Sequence, residues 1–238
     1  MAEISPLSRA QMARWRSFPP FAALGEAALA AIAARCQIRH WGAGAVLFQR
    51  GDPGGWMVAL IDGRVRLDIS TSGGRVLALR NVEPGECFGE LTLFDGAARS
   101  ATATALCPLT AYVLHRADYE NLADDRPEIP AGMVRWLARR LRETTDQLAA
   151  VALLPLEART AWFLLGALKS LHGVEESSDL PLMLSVNQSE IALVLGASRP
   201  KVNQAIQELV AHGAVARGRG HLICRADLLA RRIETLSS

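Results

Sequence analysis

One stretch of the chain combines residue types suited to holding an anion: Phe88-Gly89-Glu90-Leu91-Thr92-Leu93-Phe94, then Ala98-Arg99-Ser100-Ala101-Thr102-Ala103. A glycine turn at Gly89 opens a predicted short helix, and the Arg99-Ser100 pair follows on a predicted strand. Amides at a helix start point at negative charge, and a planar guanidinium grips two oxygens at once, so the set fits a phosphate. Glu90 would be repelled by phosphate and is better placed to accept from a sugar hydroxyl. The plainer alternative is a surface salt bridge between Arg99 and Glu90.

A second stretch, Asn187 to Leu209, carries types that read nucleic acid. Asn187 and Glu190 have the spacing of a helix cap and its reciprocal partner, just ahead of Ile191, Val194 and Leu195. Gly196 permits the left-handed backbone of a tight turn. Ser198 is a candidate cap for the next helix, with Pro200 in its first turn, where a missing N–H does no harm. Val202, Ile206 and Leu209 share one helical face and should be buried; Arg199, Asn203, Gln204 and Gln207 lie elsewhere and should face outward. Arginine and amide side chains engage guanine and adenine edges through paired hydrogen bonds.

Helix pairs joined by a glycine turn also occur in proteins that never touch DNA. Two neighbouring features favour DNA. Arg217-Gly218-Arg219-Gly220, between Val215 and Leu222-Ile223, reads as a hairpin wing bearing two cations. From Arg199 to Arg232 there are seven Lys/Arg and two Asp/Glu, a local excess of +5. Attraction to a phosphate backbone needs such a patch and falls steeply with salt.

The overall balance is neutral on this point: 50% apolar, 21% charged and net +2 describe an ordinary globular chain. Its 238 residues fit one to two domains. Met1-Ala2-Glu3 lacks the basic opening of a signal peptide. The longest uncharged run, Ser100 to His115, is broken by Pro108 and falls short of the roughly 20 apolar residues of a membrane span. A soluble cytoplasmic protein is expected. The four cysteines form no CxxC pair and the five histidines no HxH or HExxH, so neither a disulfide framework nor a metal site is legible. An enzyme on a small barrel would need an acid, base or nucleophile near Glu90 or paired ligand histidines, and the sequence offers neither, so no catalytic residue is assigned.

The elements that must position these residues change character along the chain. Val46-Leu47-Phe48, Trp56 to Ile61, Val65 to Ile69 and Val76 to Val82 read as short strands, with turn glycines Gly63, Gly74, Gly85 and Gly96 eleven residues apart. A single antiparallel barrel or roll fits better than a repeat, since the flanking residues do not repeat. From about Glu128 to Leu154, Val134, Leu137, Leu141, Thr144, Leu148 and Val151 form a heptad seam. Such a seam suits a two-chain coiled coil, with polar Thr144 a costly departure. The alternative is a long helix packed on its own barrel. Pro155 closes the helix. Thr160 to Leu171 reads as a compact apolar helix, Glu175 to Asp179 as a polar loop and Leu182-Met183-Leu184 as a short strand. The predicted class is α+β: an N-terminal antiparallel β-roll over 1–127, a long coiled-coil dimer helix over 128–154, and a C-terminal winged helix-turn-helix over 155–238.

The segment FGELTLFDG…ARSATATA closely resembles the phosphate-binding cassette of cyclic-nucleotide-binding domains. From about Phe18 to Leu229 the chain resembles the cyclic-AMP receptor (catabolite activator) branch of the receptor/FNR superfamily of transcription regulators. The resemblance implies that Gly89, Glu90 and adjoining Leu91 meet the phosphate and ribose, and that Arg99 and Ser100 bind the cyclic phosphate. Arg140 would lie near that phosphate and Glu90. Thr144 and Thr145 supply the adjacent hydroxyls that the family sets, one from each subunit, against the purine. The N-terminal cysteine cluster of the oxygen-sensing branches is missing. The implied allosteric ligand is cAMP or cGMP, with no metal, and Ser100 follows a family tendency toward AMP. The DNA-facing set is Asn187, Ser189, Ser198, Arg199, Pro200, Lys201, Asn203, Gln204, Arg217 and Arg219, with Arg199 on the family's leading base-contact arginine. Pro200 and Gln204 replace a family glutamate and a second arginine, so a changed half-site is expected. The implied partners are a near-palindromic duplex, a second copy of the chain and RNA polymerase.

Overall fold

The computed structural model describes residues 7–70, 73, 76–173, 175, 179, 181–184 and 188–237. The chain divides into two compact units, Met1–Leu141 and Arg142–Ser238.

The first unit opens with two helices outside the sequence-based expectations. In α1 (Arg9–Ser17), Ser8 and Gln11 cap each other reciprocally, satisfying two of the helix's orphan amides. Trp15 of the same helix is buried, stacks on Tyr112 at 4.4 Å and touches Phe18 and Phe21. Helix α2 (Glu26–Arg35) adds Leu29 and Ile32 to the same cluster.

Strands β1 (Gln37–Trp41), β2 (Val46–Phe48), β3 (Trp56–Asp62), β4 (Val65–Ser70), β5 (Val76–Val82) and β6 (Cys87–Phe88) follow. Next come the short helix α3 (Leu91–Phe94), then β7 (Thr102–Ala105) and β8 (Leu109–His115). They form two antiparallel four-stranded sheets, ordered β1-β8-β3-β6 and β2-β7-β4-β5. Alternation sets the faces: Leu109, Ala111 and Val113 of β8 are buried while Thr110 and Tyr112 are less so. Val58, Leu60, Val65, Val82, Phe88 and Ala103 make the core of the roll. The β3–β4 turn needs its glycine: Gly63 has φ +93°, and a Cβ there would lie 2.7 Å from the Pro108 carbonyl.

Helix α4 (Arg116–Asp125) leads into α5 (Glu128–Leu153), whose Ile129, Met133 and Trp136 enter the first unit's core. Gly132 lets α5 approach closely, since a Cβ would sit 2.7 Å from the Pro20 carbonyl. The predicted seam lies on another face. Val134, Leu141 and Leu148 are 63%, 68% and 68% exposed, Val151 and Thr144 are exposed, and Leu137 is half-buried. The chain's own core therefore covers one side of α5 and leaves the heptad stripe at the surface.

Pro155 ends α5 and stands at the cap of α6 (Leu156–His172), which starts earlier than the predicted Thr160. The second unit continues with β9 (Pro181–Leu184), α7 (Gln188–Val194), α8 (Arg199–Ala211), β10 (Val215–Arg217), β11 (Leu222–Arg225) and α9 (Ala226–Ser237). Its sheet is ordered β10-β11-β9. Ile191, Val202, Ile206 and Leu209 are fully buried with Leu164, Leu168 and Leu184. Arg232 of α9 grips Glu157 of α6 at 2.6 and 3.1 Å. All four cysteines are free, with Cys87 and Cys224 buried. Among the described residues no helix is long and apolar enough to cross a membrane, and no three metal-type ligands cluster.

Candidate functional site

Gly89 adopts φ +75°, which turns the chain from β6 into α3. Arg99 and Ser100 do not lie on a strand as expected; they occupy the loop ahead of β7, which begins at Thr102. That loop is fixed all the same. The Arg99 N–H donates to the Asp52 carbonyl and the Arg99 carbonyl accepts from Gly51, each at 2.9 Å.

The Arg99 side chain is 2% exposed. Its Nη1 donates to the Gly89 carbonyl at 2.8 Å and to Thr92 Oγ1 at 3.2 Å. Thr92 is itself buried; its hydroxyl also accepts from the Gly55 N–H at 3.1 Å and donates to the Gly89 carbonyl at 3.3 Å. The guanidinium carbon lies 4.1 Å from the Phe48 ring centre and 4.5 Å from that of Trp56. Nε and Nη2 are buried without an acceptor among the described residues. These two nitrogens form the side-on fork of a guanidinium, spaced for two oxygens of one phosphate. Burial, opposed by the charges of Asp52 and Glu90, pulls the Arg99 pKa from 12.5 down to about 10, so it remains a cation at neutral pH. The alternative, a surface salt bridge between Arg99 and Glu90, does not form among the described residues.

Glu90 sits half-buried at the start of α3. Burial pushes its carboxyl above the usual range; a backbone hydrogen bond and the charges of Arg80, Arg140 and Arg99 pull it back. Arg140, on α5, is thus within electrostatic reach of Glu90 and of Arg80. Arg80 was not legible as a site residue: it bonds Glu86 at 2.8 Å and the Cys87 carbonyl at 3.0 Å beside the cassette. Ser100 and Leu91 are exposed. Thr144 and Thr145 are exposed on α5, one turn beyond Arg140.

In the second unit, Gly196 has φ +60° and turns α7 into α8. Ser198 stands at the cap position with extended backbone, but its hydroxyl makes no capping bond, a correction to the expected cap. Pro200 falls in the first turn of α8. Arg199, Pro200, Lys201 and Gln204 are exposed along that helix, Ser189 is exposed on α7, and Asn203 is half-buried. Asn187, and with it the predicted α7 cap, lies outside the described residues.

The wing is a β10–β11 hairpin in which Arg217 pairs with Leu222. Its turn uses the glycine at Gly220, whose φ is +77°. Arg217 and Arg219 are exposed. Arg217 Nη2 donates to Asn203 Oδ1 at 2.8 Å, tying the wing to α8 across fourteen residues of sequence. Gln204 reaches Glu208 at 3.2 Å.

Comparison with known proteins gives both units a family. The Cyclic nucleotide-binding domain model matches residues 38–126, and the Crp-like helix-turn-helix domain model matches residues 158–232. A CRP-like cAMP-activated global transcriptional regulator of Mycobacterium tuberculosis is 33% identical over 213 residues, covering 89% of this chain and 95% of the relative. The chain belongs to the CRP/FNR family. Within that family, the Cyclic AMP receptor protein of Thermus thermophilus is 31% identical, covering 83% of this chain and 88% of its own. The crystal structure of the Thermus thermophilus catabolite activator protein is 29% identical over 92% of this chain and all of that one, with a TM-score of 0.53. As a CRP/FNR-family member, the protein is a cyclic-nucleotide-binding, DNA-binding transcription regulator and not an enzyme.

Proposed function

We propose that the protein is a cytoplasmic, homodimeric regulator whose DNA affinity is set by cAMP. The buried, unsatisfied Nε–Nη2 fork of Arg99 carries this reading, because a guanidinium with two orphaned donors is retained where an anion completes it. Arg99 and Ser100 take the cyclic phosphate, with the amides near Gly89, Glu90 and Leu91 alongside. Glu90 accepts from the ribose, held in place by Arg80 and Arg140. Thr144 and Thr145 face the purine between two copies of α5. Ser100 favours adenine, and the cAMP-activated relatives support the same choice.

The exposed heptad stripe supports pairing of α5 with a second α5, giving the division into 1–127, 128–154 and 155–238 its meaning as sensor, coupler and reader. Ordering that seam would set two α8 helices at the spacing of successive major grooves, about 34 Å. Arg199 reads guanine, and Asn203, Gln204, Ser189 and Asn187 supply further polar contacts. Lys201, Ser198, Arg217 and Arg219 track phosphates, and Pro200 relaxes one base step. RNA polymerase is the partner at the promoter. Coupling between ligand and DNA sites of this kind amounts to about 1–3 kcal/mol, so free protein retains weak DNA binding.

Calorimetric titration with cAMP and, separately, cGMP tests the reading. One cAMP per subunit, bound at micromolar concentration and lost in Arg99→Ala, is expected. Tighter binding of cGMP would reassign the signal, and no binding of either would remove the cyclic nucleotide as effector.

A further inference from the structure

The nucleotide reading gives Arg99 a role but leaves Phe48 and Trp56 without one. Their rings meet nearly at right angles, 77° with centroids 5.5 Å apart, and Arg99 is lodged in the corner they form. A ring face attracts a cation through its quadrupole, so the corner is a seat that competes with any phosphate for the guanidinium. On the far side Nη1 is tied to the Gly89 carbonyl and Thr92 Oγ1. Among the described residues Nε and Nη2 have no acceptor, and both atoms are buried. A phosphate cannot reach a fork sealed in this way. It must draw the arginine out of the corner, or the corner must open.

We propose that Phe48 and Trp56 form a resting seat for Arg99 in the ligand-free protein and so set the concentration at which a phosphate-bearing ligand captures it. The identity of the ligand rests on the nucleotide reading; the seat does not. The two residues come from different sheets, Phe48 ending β2 and Trp56 opening β3, so the seat exists only in the folded roll. Gly89 completes it, because a Cβ there would lie 2.8 Å from Arg99 Nη1 and 3.4 Å from the Phe48 ring.

The sign of a substitution separates a seat from a clamp that merely aims Arg99 at its ligand. Loss of one wall makes release easier, so Trp56→Leu should bind cAMP about three- to tenfold more tightly. Trp56→Phe keeps a wall and should bind within about twofold of wild type, while losing the ligand-induced change in tryptophan emission. Weaker binding by Trp56→Leu would overturn the seat in favour of a clamp. A second measurement needs no nucleotide. In ligand-free protein labelled with 15N-arginine, the Arg99 Nε–H resonance should be shifted by ring currents and slow to exchange, and should lose both properties in Trp56→Leu. An unshifted, fast-exchanging resonance in the wild type would reject the seat. Failure of the wild type to bind either cAMP or cGMP would instead defeat the ligand assignment, with the resonance still deciding the seat.

Discussion

The guanidinium of Arg99 is shut inside the roll with two donors unsatisfied, whereas that of Arg199 stands exposed at the start of α8 among a local excess of positive charge. Burying an ion costs several kcal/mol that ring faces, hydrogen bonds and a bound counter-charge must offset, so the proposed ligand site should be selective, nearly independent of salt and intolerant of substitution. Exposed cations cost little, and each contributes little. Their value lies in number and spacing along a polyanion, and it fades as salt rises. On the proposed reading the same side chain serves a small ligand in one unit and a long one in the other, and burial decides which.

The sharpest way to break this contrast is Arg99→Ala. It should weaken cyclic-nucleotide binding at least about 100-fold, since a charge-assisted bidentate contact is lost, while the salt slope of DNA binding stays unchanged. A parallel change in that slope would show that Arg99 acts through folding. Next, Arg199→Ala should cost about 1–3 kcal/mol on the preferred duplex, read by gel shift, and leave the calorimetric affinity for nucleotide alone. Arg219→Gln should have a smaller and less discriminating effect. Specific and random duplexes weaken together, and the slope of log K against log salt falls by about 1.

The smallest effect concerns stability. Burial raises the Glu90 pKa, so its charged form is penalised in the folded state. Its contribution is most favourable below the ordinary carboxylate range and is lost as pH climbs through that range to the raised value. Glu90→Gln should accordingly melt about 1–2 °C higher than wild type at pH 7 and no higher near pH 4. A melting gain that is equal at both values would separate it from titration.

The strands and the two DNA-side helices were legible because each rests on local pattern. Short apolar runs between turn glycines gave Trp56 to Ile61 and Val76 to Val82, and the helical period gave Val202, Ile206 and Leu209 their buried face. The cassette was legible as a string, but not its surroundings. Phe48, Trp56, Thr92 and Arg80 meet Arg99 or Glu90 only because strands from two sheets pack together, a proximity that no spacing records. The Arg217–Asn203 bond across the wing is of the same kind. Arg99 and Ser100, expected on a strand, lie just ahead of one, where backbone bonds from Arg99 to Gly51 and Asp52 fix the loop. Helix α1 lies ahead of Phe18, where the resemblance begins, and owes its start to the Ser8–Gln11 cap; α2 lies inside that stretch but starts at Gly25 with no side-chain cap to announce it.

The free cysteines carry a last consequence. Burial pushes the Cys224 thiol up to about 12 and that of Cys87 well above its ordinary range. Peroxide and alkylating agents attack the thiolate, so a sulfur held protonated in an apolar interior is chemically quiet. Cys87 lies two residues from Gly89, close enough that its oxidation would disturb the cassette. Its inertness keeps an oxidant from passing for the signal.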